Sequence, residues 1–339
     1  MFIQQSSVSE VARKPLILND FGALALKFGS AICNQCVADC DGGPNQVSDA
    51  LALTALRPCG LLLPKNSDQR EERMFVCPDC KKPLEGLRCQ TCRREFEQAD
   101  GIPILISHET RYESARNIGK VYDDVYKNHT KVWEDQGRTP EFLSYFADLV
   151  AHFSTGSLLE IGCGEGFLLS ALRGSRLAAI DLSSEALRSA RQRVAADFCV
   201  AIAERLPFSE NTLDLVLAVG VMEHFIDDGE ATREILRVLK PGGRYLTLIH
   251  VDMSVGERIN QKIKEYFFPR PRPVAFFQYV AKKVIRPISQ PIQRLYKRQT
   301  ARKCLEESGF VVDEIISSVT HPRAPFIGPH VLLFVARKP

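Results

Sequence analysis

An apolar run, Leu158-Leu159-Glu160-Ile161, passes directly into Gly162-Cys163-Gly164-Glu165-Gly166, and a helix-like stretch follows. Glycine at every second position lets the backbone turn sharply and lets a ligand approach it closely. Fifteen residues past Gly166, a second apolar run, Leu177 to Ile180, is closed by Asp181. A carboxylate at the end of that strand can accept hydrogen bonds from ribose hydroxyls. Strand, glycine loop, helix, strand and acid in this order predict an α/β sheet that holds an adenosine-type cofactor.

The spacing separates cofactor classes. A dinucleotide loop is G-x-G-x-x-G, with a helix N-terminus facing a pyrophosphate. This chain has G-x-G-x-G, with Glu160 just ahead of it. A carboxylate there repels a pyrophosphate and suits a ligand that carries an ammonium and a sulfonium. On these residues the chain resembles the class I S-adenosylmethionine-dependent methyltransferases, in particular the small-molecule group of ubiquinone and menaquinone biosynthesis. The resemblance implies roles. Gly162, Gly164 and Gly166 form the cofactor loop, Glu160 reaches the methionine amino group, Asp181 holds the ribose and Leu182 packs on the adenine. The stretch Ala203-Glu204-Arg205-Leu206-Pro207-Phe208 matches the family's loop after the third strand, so Ala203 and Glu204 join the expected cofactor set. Relatives usually carry Asp before the Ala-Glu pair, to take the adenine amino group; here Ile202 stands in its place.

Apolar runs continue beyond the loop. Phe198–Ala203 reads as a third strand. Leu213–Val221 reads as a strand buried on both faces, followed by a helix over Gly229–Leu239. Lys240-Pro241-Gly242-Gly243 reads as a turn, Arg244–His250 as a fifth strand, and Phe310–Ser318 with His330–Arg337 as a closing hairpin with one antiparallel strand. Strands alternating with helices predict a doubly wound, seven-stranded, mostly parallel sheet.

A second module precedes it. Cys77-Pro78-Asp79-Cys80 and Cys89-Gln90-Thr91-Cys92 are two C-x2-C knuckles separated by eight residues. Together they predict a structural zinc ion bound by four thiolates, with no position open for catalysis. Residues 74–106 resemble the small zinc ribbon found in front of some bacterial methyltransferases. They also resemble the separate zinc-ribbon protein that activates certain tRNA and protein methyltransferases. So small a module has little core without a metal. Residues 107–154 read as a polar helical cap, with Tyr122, Tyr126 and Trp133 available to cover the cofactor or pack on the sheet. The methyltransferase domain is expected over 155–339. Residues 1–73 show no sustained period, and Cys33, Cys36, Cys40 and Cys59 lack convincing ligand spacing. They read as a disordered extension, or as upstream sequence before a true start at Met74.

The 339 residues are 45% hydrophobic and 25% charged with a net charge of +3, too small a balance to imply nucleic acid. No apolar run of the ~18 residues a transmembrane helix needs is present, and no secretory signal opens the chain. The expected location is cytoplasmic. The exception to the even charge is 251–300, where 11 Lys or Arg face three Asp or Glu and apolar residues recur at helical spacing. A basic, amphipathic insertion can cover a lipophilic substrate or lie on an anionic membrane surface, which adds peripheral contact with the inner face of the membrane to the expectation.

Methyl transfer from a sulfonium needs alignment of donor and acceptor, plus a base if the acceptor starts protonated. Glu223 and His224, after the fourth strand, and His250, ending the fifth, are the catalytic candidates, with His224 ahead of His250. The leading function is methyl transfer to a hydroxyl or activated carbon of a small, lipophilic acceptor. One alternative is an RNA methyltransferase, less favoured because neither an Asn-Pro-Pro-Tyr-like motif nor paired catalytic cysteines is present. Another is a non-catalytic zinc-binding partner on a degenerate methyltransferase fold.

Overall fold

The computed structural model describes residues 74–128, 139–153, 156–174, 176–252, 256, 259, 292–317 and 330–339. The chain divides into two units; the first, Met1–Ser67, lies outside the described residues, and the account below concerns the second, Asp68–Pro339. The expectations for 1–73, Trp133 and most of the basic insertion also fall outside the described residues.

Strands β5 (Ser157–Ile161), β6 (Arg176–Asp181), β7 (Asp197–Val200), β8 (Leu213–Val219), β9 (Leu239–His250), β10 (Val311–Ile316) and β11 (Val331–Arg337) form a seven-stranded sheet in the order β10-β11-β9-β8-β5-β6-β7. Pairings from β9 through β7 are parallel, and β11 runs antiparallel to both β9 and β10. This is the doubly wound, mostly parallel sheet expected from the strand pattern. Strand order reverses between β5 and β8, and ligands in such sheets bind beyond the carboxyl ends of the strands at that crevice.

Alternation along each strand splits the core in two. On β9, Tyr245 and Ile249 face one layer with α5 (Asp228–Val238) and α6 (Arg298–Glu307). Leu246 and Leu248 face the other, with α2 (Pro140–Phe153), α3 (Phe167–Ala171) and α4 (Ser184–Arg193). Helix starts are locally encoded. The Ser183 hydroxyl accepts from Ala186 N at 3.1 Å and the Asp227 carboxylate from Glu230 N at 2.8 Å, each satisfying an orphan donor of the first turn.

The Lys240–Gly243 turn takes an unexpected form. It is carried inside β9 as a wide bulge, because Leu213 pairs with Leu239 while Leu215 pairs with Arg244. Gly242 (φ +77°) provides the left-handed residue, its N–H donates to Lys338 O at 3.0 Å, and Lys240 Nζ donates to both Asp214 oxygens at 2.9 Å. Tertiary partners therefore hold as one strand what local chemistry reads as a break.

In front of the sheet, β1 (Arg88–Cys89) pairs with β2 (Arg94–Glu95) and β3 (Gln98–Ala99) with β4 (Ile102–Pro103), all antiparallel. The chain continues past β4 onto the main sheet. Ile104 bridges Val200 in parallel, and Leu105 N donates to Val200 O at 2.7 Å. This covers the edge of β7, which would otherwise present unpaired backbone groups. Helix α1 (Glu113–Asn128) then packs against α4. No helix among the described residues is long and apolar enough to cross a membrane.

Candidate active site and metal centre

A cavity of about 420 Å³ opens at the carboxyl ends of the parallel strands, within the size range of small-molecule sites. It spans the switch point. Ile161, Gly162, Asp181, Leu182 and Ala203 line it from β5, β6 and β7, and Val219, Val221, Leu248, His250 and Val331 from β8, β9 and β11.

The glycine loop is closely fitted. Gly162, Gly164 and Gly166 all take positive φ, at +66°, +53° and +73°. A Cβ on Gly162 would lie 2.5 Å from Val221 Cγ2, and one on Gly166 would lie 2.9 Å from Ala190 Cβ. So one glycine keeps the cavity wall thin and another lets α3 pack on α4. Asp181 ties the loop to the next strand: one oxygen accepts Gly164 N at 2.9 Å and the other accepts Ser183 N at 2.9 Å. Asp181 itself lines the cavity. The residues present fit an adenosine ligand: a carboxylate at the rim, a backbone bend without side chains and an apolar bed from Leu182 and Ile202, both of which line the cavity.

Other expected cofactor residues lie differently. Glu160 is buried on β5, 3% exposed, and does not line the cavity. Glu204 lines it, yet its carboxylate accepts Ile226 N at 2.6 Å and Asp227 N at 3.1 Å, and burial raises its pKa. Its evident task is to hold the loop after β8. Cys163 is buried within the loop.

The three catalytic candidates come together at one end. Glu223 is 2% exposed; its Oε1 accepts from His250 Nδ1 at 2.5 Å, and its Oε2 has no hydrogen-bond partner among the described residues. That carboxylate holds the His250 imidazole above its usual value. With Nδ1–H committed to Glu223, the neutral ring keeps its lone pair on Nε2. His224 also lines the cavity, but its Nδ1 meets the neutral carbonyl of Ile292 at 2.5 Å. A carboxylate stabilises an imidazolium far better than a carbonyl does, so the geometry reverses the order in which the two histidines rank as bases.

Two aromatics expected of the helical cap reach the cavity, and further contributors carry no sequence signal. Tyr122 and Tyr126 of α1 line the cavity, and burial pushes the Tyr122 phenol up to about 12. Asp123 of α1 accepts from the Ser183 hydroxyl at 2.6 Å and from Glu185 N at 3.1 Å, which docks α1 onto the start of α4. Gly119 permits that approach, since a Cβ there would lie 2.7 Å from Leu182 O. Arg294 N donates to Glu223 O at 2.9 Å, and its guanidinium donates to Phe225 O and Ile226 O, strapping the turn after β8 from the return of the insertion. Each is a long-range contact between residue types common on any surface.

The four knuckle cysteines converge. The sulfurs of Cys77, Cys80, Cys89 and Cys92 all lie within 4.8 Å of one another, with Cys77–Cys92 at 4.0 Å and Cys80–Cys89 at 3.4 Å. A tetrahedral zinc with ~2.3 Å sulfur bonds puts sulfurs about 3.8 Å apart, so the donor set fits that ion.

Residues 159–247 match the family described as Methyltransferase domain. A ubiquinone biosynthesis O-methyltransferase of Alkalilimnicola ehrlichii is 28% identical over 151 residues, which is 40% of this chain and 58% of that protein. A demethylmenaquinone methyltransferase of Symbiobacterium thermophilum is 29% identical over 157 residues, 40% of this chain and 60% of that protein. The chain thus spans no more than about 60% of either relative's length. An S-adenosylmethionine-dependent methyltransferase of Thermotoga maritima superposes with a TM-score of 0.46 at 19% identity, covering 65% of this chain and 99% of that one.

Proposed function

We propose that this chain transfers a methyl group from S-adenosylmethionine to a hydroxyl or activated carbon of a small, lipophilic acceptor, a reading supported by the match of residues 159–247 to the Methyltransferase domain family and by the ubiquinone and menaquinone methyltransferases it resembles. The observation that carries the reading is a single cavity lined at one end by Gly162 and Asp181 and at the other by His250. Bound S-adenosylmethionine supplies the electrophilic methyl group. The glycine loop and Asp181 hold and orient the nucleoside. The apolar wall of Phe142, Phe225, Leu248 and Val331 receives the acceptor and excludes water. His250 Nε2 takes the proton of the acceptor hydroxyl or enol, and Glu223 stabilises the imidazolium that forms. His224, held to the Ile292 carbonyl, orients the turn. The Cys77, Cys80, Cys89 and Cys92 thiolates bind a structural zinc ion.

Isothermal calorimetry with S-adenosylhomocysteine tests the cofactor half. Micromolar affinity is expected, and no detectable heat across the millimolar range removes the enzymatic reading in favour of a degenerate fold. Flotation with anionic vesicles, run beside a gel shift with ribosomal RNA fragments, tests the acceptor class. Vesicle binding supports a lipophilic acceptor met at a membrane surface, whereas salt-sensitive RNA binding alone replaces it with the RNA reading.

Gly119→Ala supplies a test of the α1 cap. The added methyl group forces α1 off Leu182, an overpacking cost of about 1–3 kcal/mol. S-adenosylhomocysteine affinity is expected to fall about tenfold while the circular dichroism spectrum is retained. Unchanged affinity would mean that α1 does not cap the nucleoside.

A further inference from the structure

Among the described residues, the zinc knuckle does not stand apart from the cofactor cavity; it grips the loop that forms part of its wall. Residues 203–208 begin inside the cavity, where Ala203 and Glu204 line it, and end outside, against the ribbon. Their outer carbonyls are held one by one. Lys81 Nζ donates to Leu206 O at 3.1 Å, Val76 N donates to Pro207 O at 2.9 Å, and Arg237 of α5 donates to Leu206 O at 3.2 Å and Phe208 O at 2.9 Å. Glu234 organises both cations, accepting from Lys81 Nζ at 2.7 Å and from Arg237 at 2.6 and 2.9 Å. Phe75 packs edge-on against Phe208, with centroids 5.5 Å apart.

Lys81 follows the knuckle cysteine Cys80 directly. It sits at φ +62°, a left-handed conformation that a lysine rarely adopts. The knuckle imposes it: Lys81 N donates to Cys77 O and Cys77 N to Lys82 O, both at 2.9 Å, closing the turn around the two sulfurs. An ion shared by Cys77 and Cys80 tightens that turn, and the turn aims the Lys81 side chain at Leu206. No other residue of the turn reaches the loop in this way. The ribbon therefore reaches the backbone that shapes this end of the cavity through the Lys81 cation, beside the Val76 N–H and the Phe75 ring.

We propose that Lys81 is a positioning residue through which metal loading of the four-cysteine site sets the cofactor affinity of the methyltransferase domain. The metal site is then more than a fold-stabilising clip: an emptied knuckle releases Lys81 and slackens the 203–208 loop. The ligand named here rests on the proposed function; the coupling itself rests on the contacts.

The test uses the full chain and calorimetry with S-adenosylhomocysteine, with zinc content read by elemental analysis. Chelation is expected to weaken binding at least tenfold, and added zinc to restore it. Lys81→Met is expected to keep one zinc per chain and a native circular dichroism spectrum while weakening binding five- to tenfold. Lys81→Arg recovers most of that loss, and Glu234→Gln adds little to Lys81→Met. Equal affinity for wild type and Lys81→Met, both loaded with zinc, overturns the proposal, even if chelation unfolds the ribbon. Absence of zinc from wild-type protein purified with added metal overturns the metal half. Wild-type protein that carries zinc and ignores S-adenosylhomocysteine defeats the methyltransferase reading instead, which a Lys81 variant with native affinity cannot do.

Discussion

Asp181→Ala is expected to raise the dissociation constant for S-adenosylhomocysteine by at least about 100-fold. Two terms act together. Ribose hydroxyls lose a charged acceptor, and hydrogen bonds to charged groups contribute about 1.5–3 kcal/mol each, where about 1.4 kcal/mol is tenfold in affinity. The loop also loses its tie to the neighbouring strand, since Gly164 N and Ser183 N, each 2.9 Å from an Asp181 oxygen, are left without that acceptor. Asp181→Asn keeps one acceptor oxygen and is expected to lose less. Asp313→Ala on β10, a residue paired with Arg244 and Arg337 away from the cavity, is the control and should bind as wild type. Calorimetry reads all three, and an Asp181→Ala protein within threefold of wild type ends the ribose assignment.

His250→Ala is expected to lower turnover about 10²- to 10⁴-fold, the range for loss of a general base, with cofactor affinity retained. His224→Ala should lower it less, because His224 faces a neutral carbonyl rather than a carboxylate. Glu223→Gln distinguishes a base from a structural histidine. Glu223 raises the His250 pKa by favouring the protonated ring. A base works deprotonated, so activity is lost as pH falls through that raised pKa. Removing the carboxylate lowers the pKa, and the acidic limb of kcat/KM must move to lower pH while the plateau falls, because the ring has become a weaker base. Nuclear magnetic resonance titration of the imidazole reads the same shift before any acceptor is known. An acidic limb at the same pH in wild type and Glu223→Gln would leave His250 no catalytic part.

The cofactor end of the site was legible because its chemistry is local. Alternate glycines before a helix, and an acid closing the next strand, are spacing rules that hold whatever the rest of the chain does. Gly162, Gly164, Gly166 and Asp181 indeed meet in one bend. The cysteine knuckles were legible for the same reason: four thiols spaced to share one ion converge to within 4.8 Å. The catalytic end was not. In sequence His224 ranks ahead of His250, and only the fold brings a buried carboxylate to His250 and a backbone carbonyl to His224. Glu204 lines the cavity as its motif suggests, and only the fold shows its carboxylate taken up by the Ile226 and Asp227 amides.

Sequence alone determined the strand and helix alternation, the glycine bend and the spacing that gathers the four cysteines, since each depends on neighbours a few residues apart and on the steric and acid-base character of single residue types. Tertiary structure alone decided that the Lys240–Gly243 turn would be absorbed into a strand, that Ile104 would seal the sheet edge and that Gly119 would let a helix rest on Leu182. It also decided which histidine would hold a charged partner. The physical reason is common to all four: a contact between residues far apart in the chain is set by how two packed layers meet, and no local pattern records that distance.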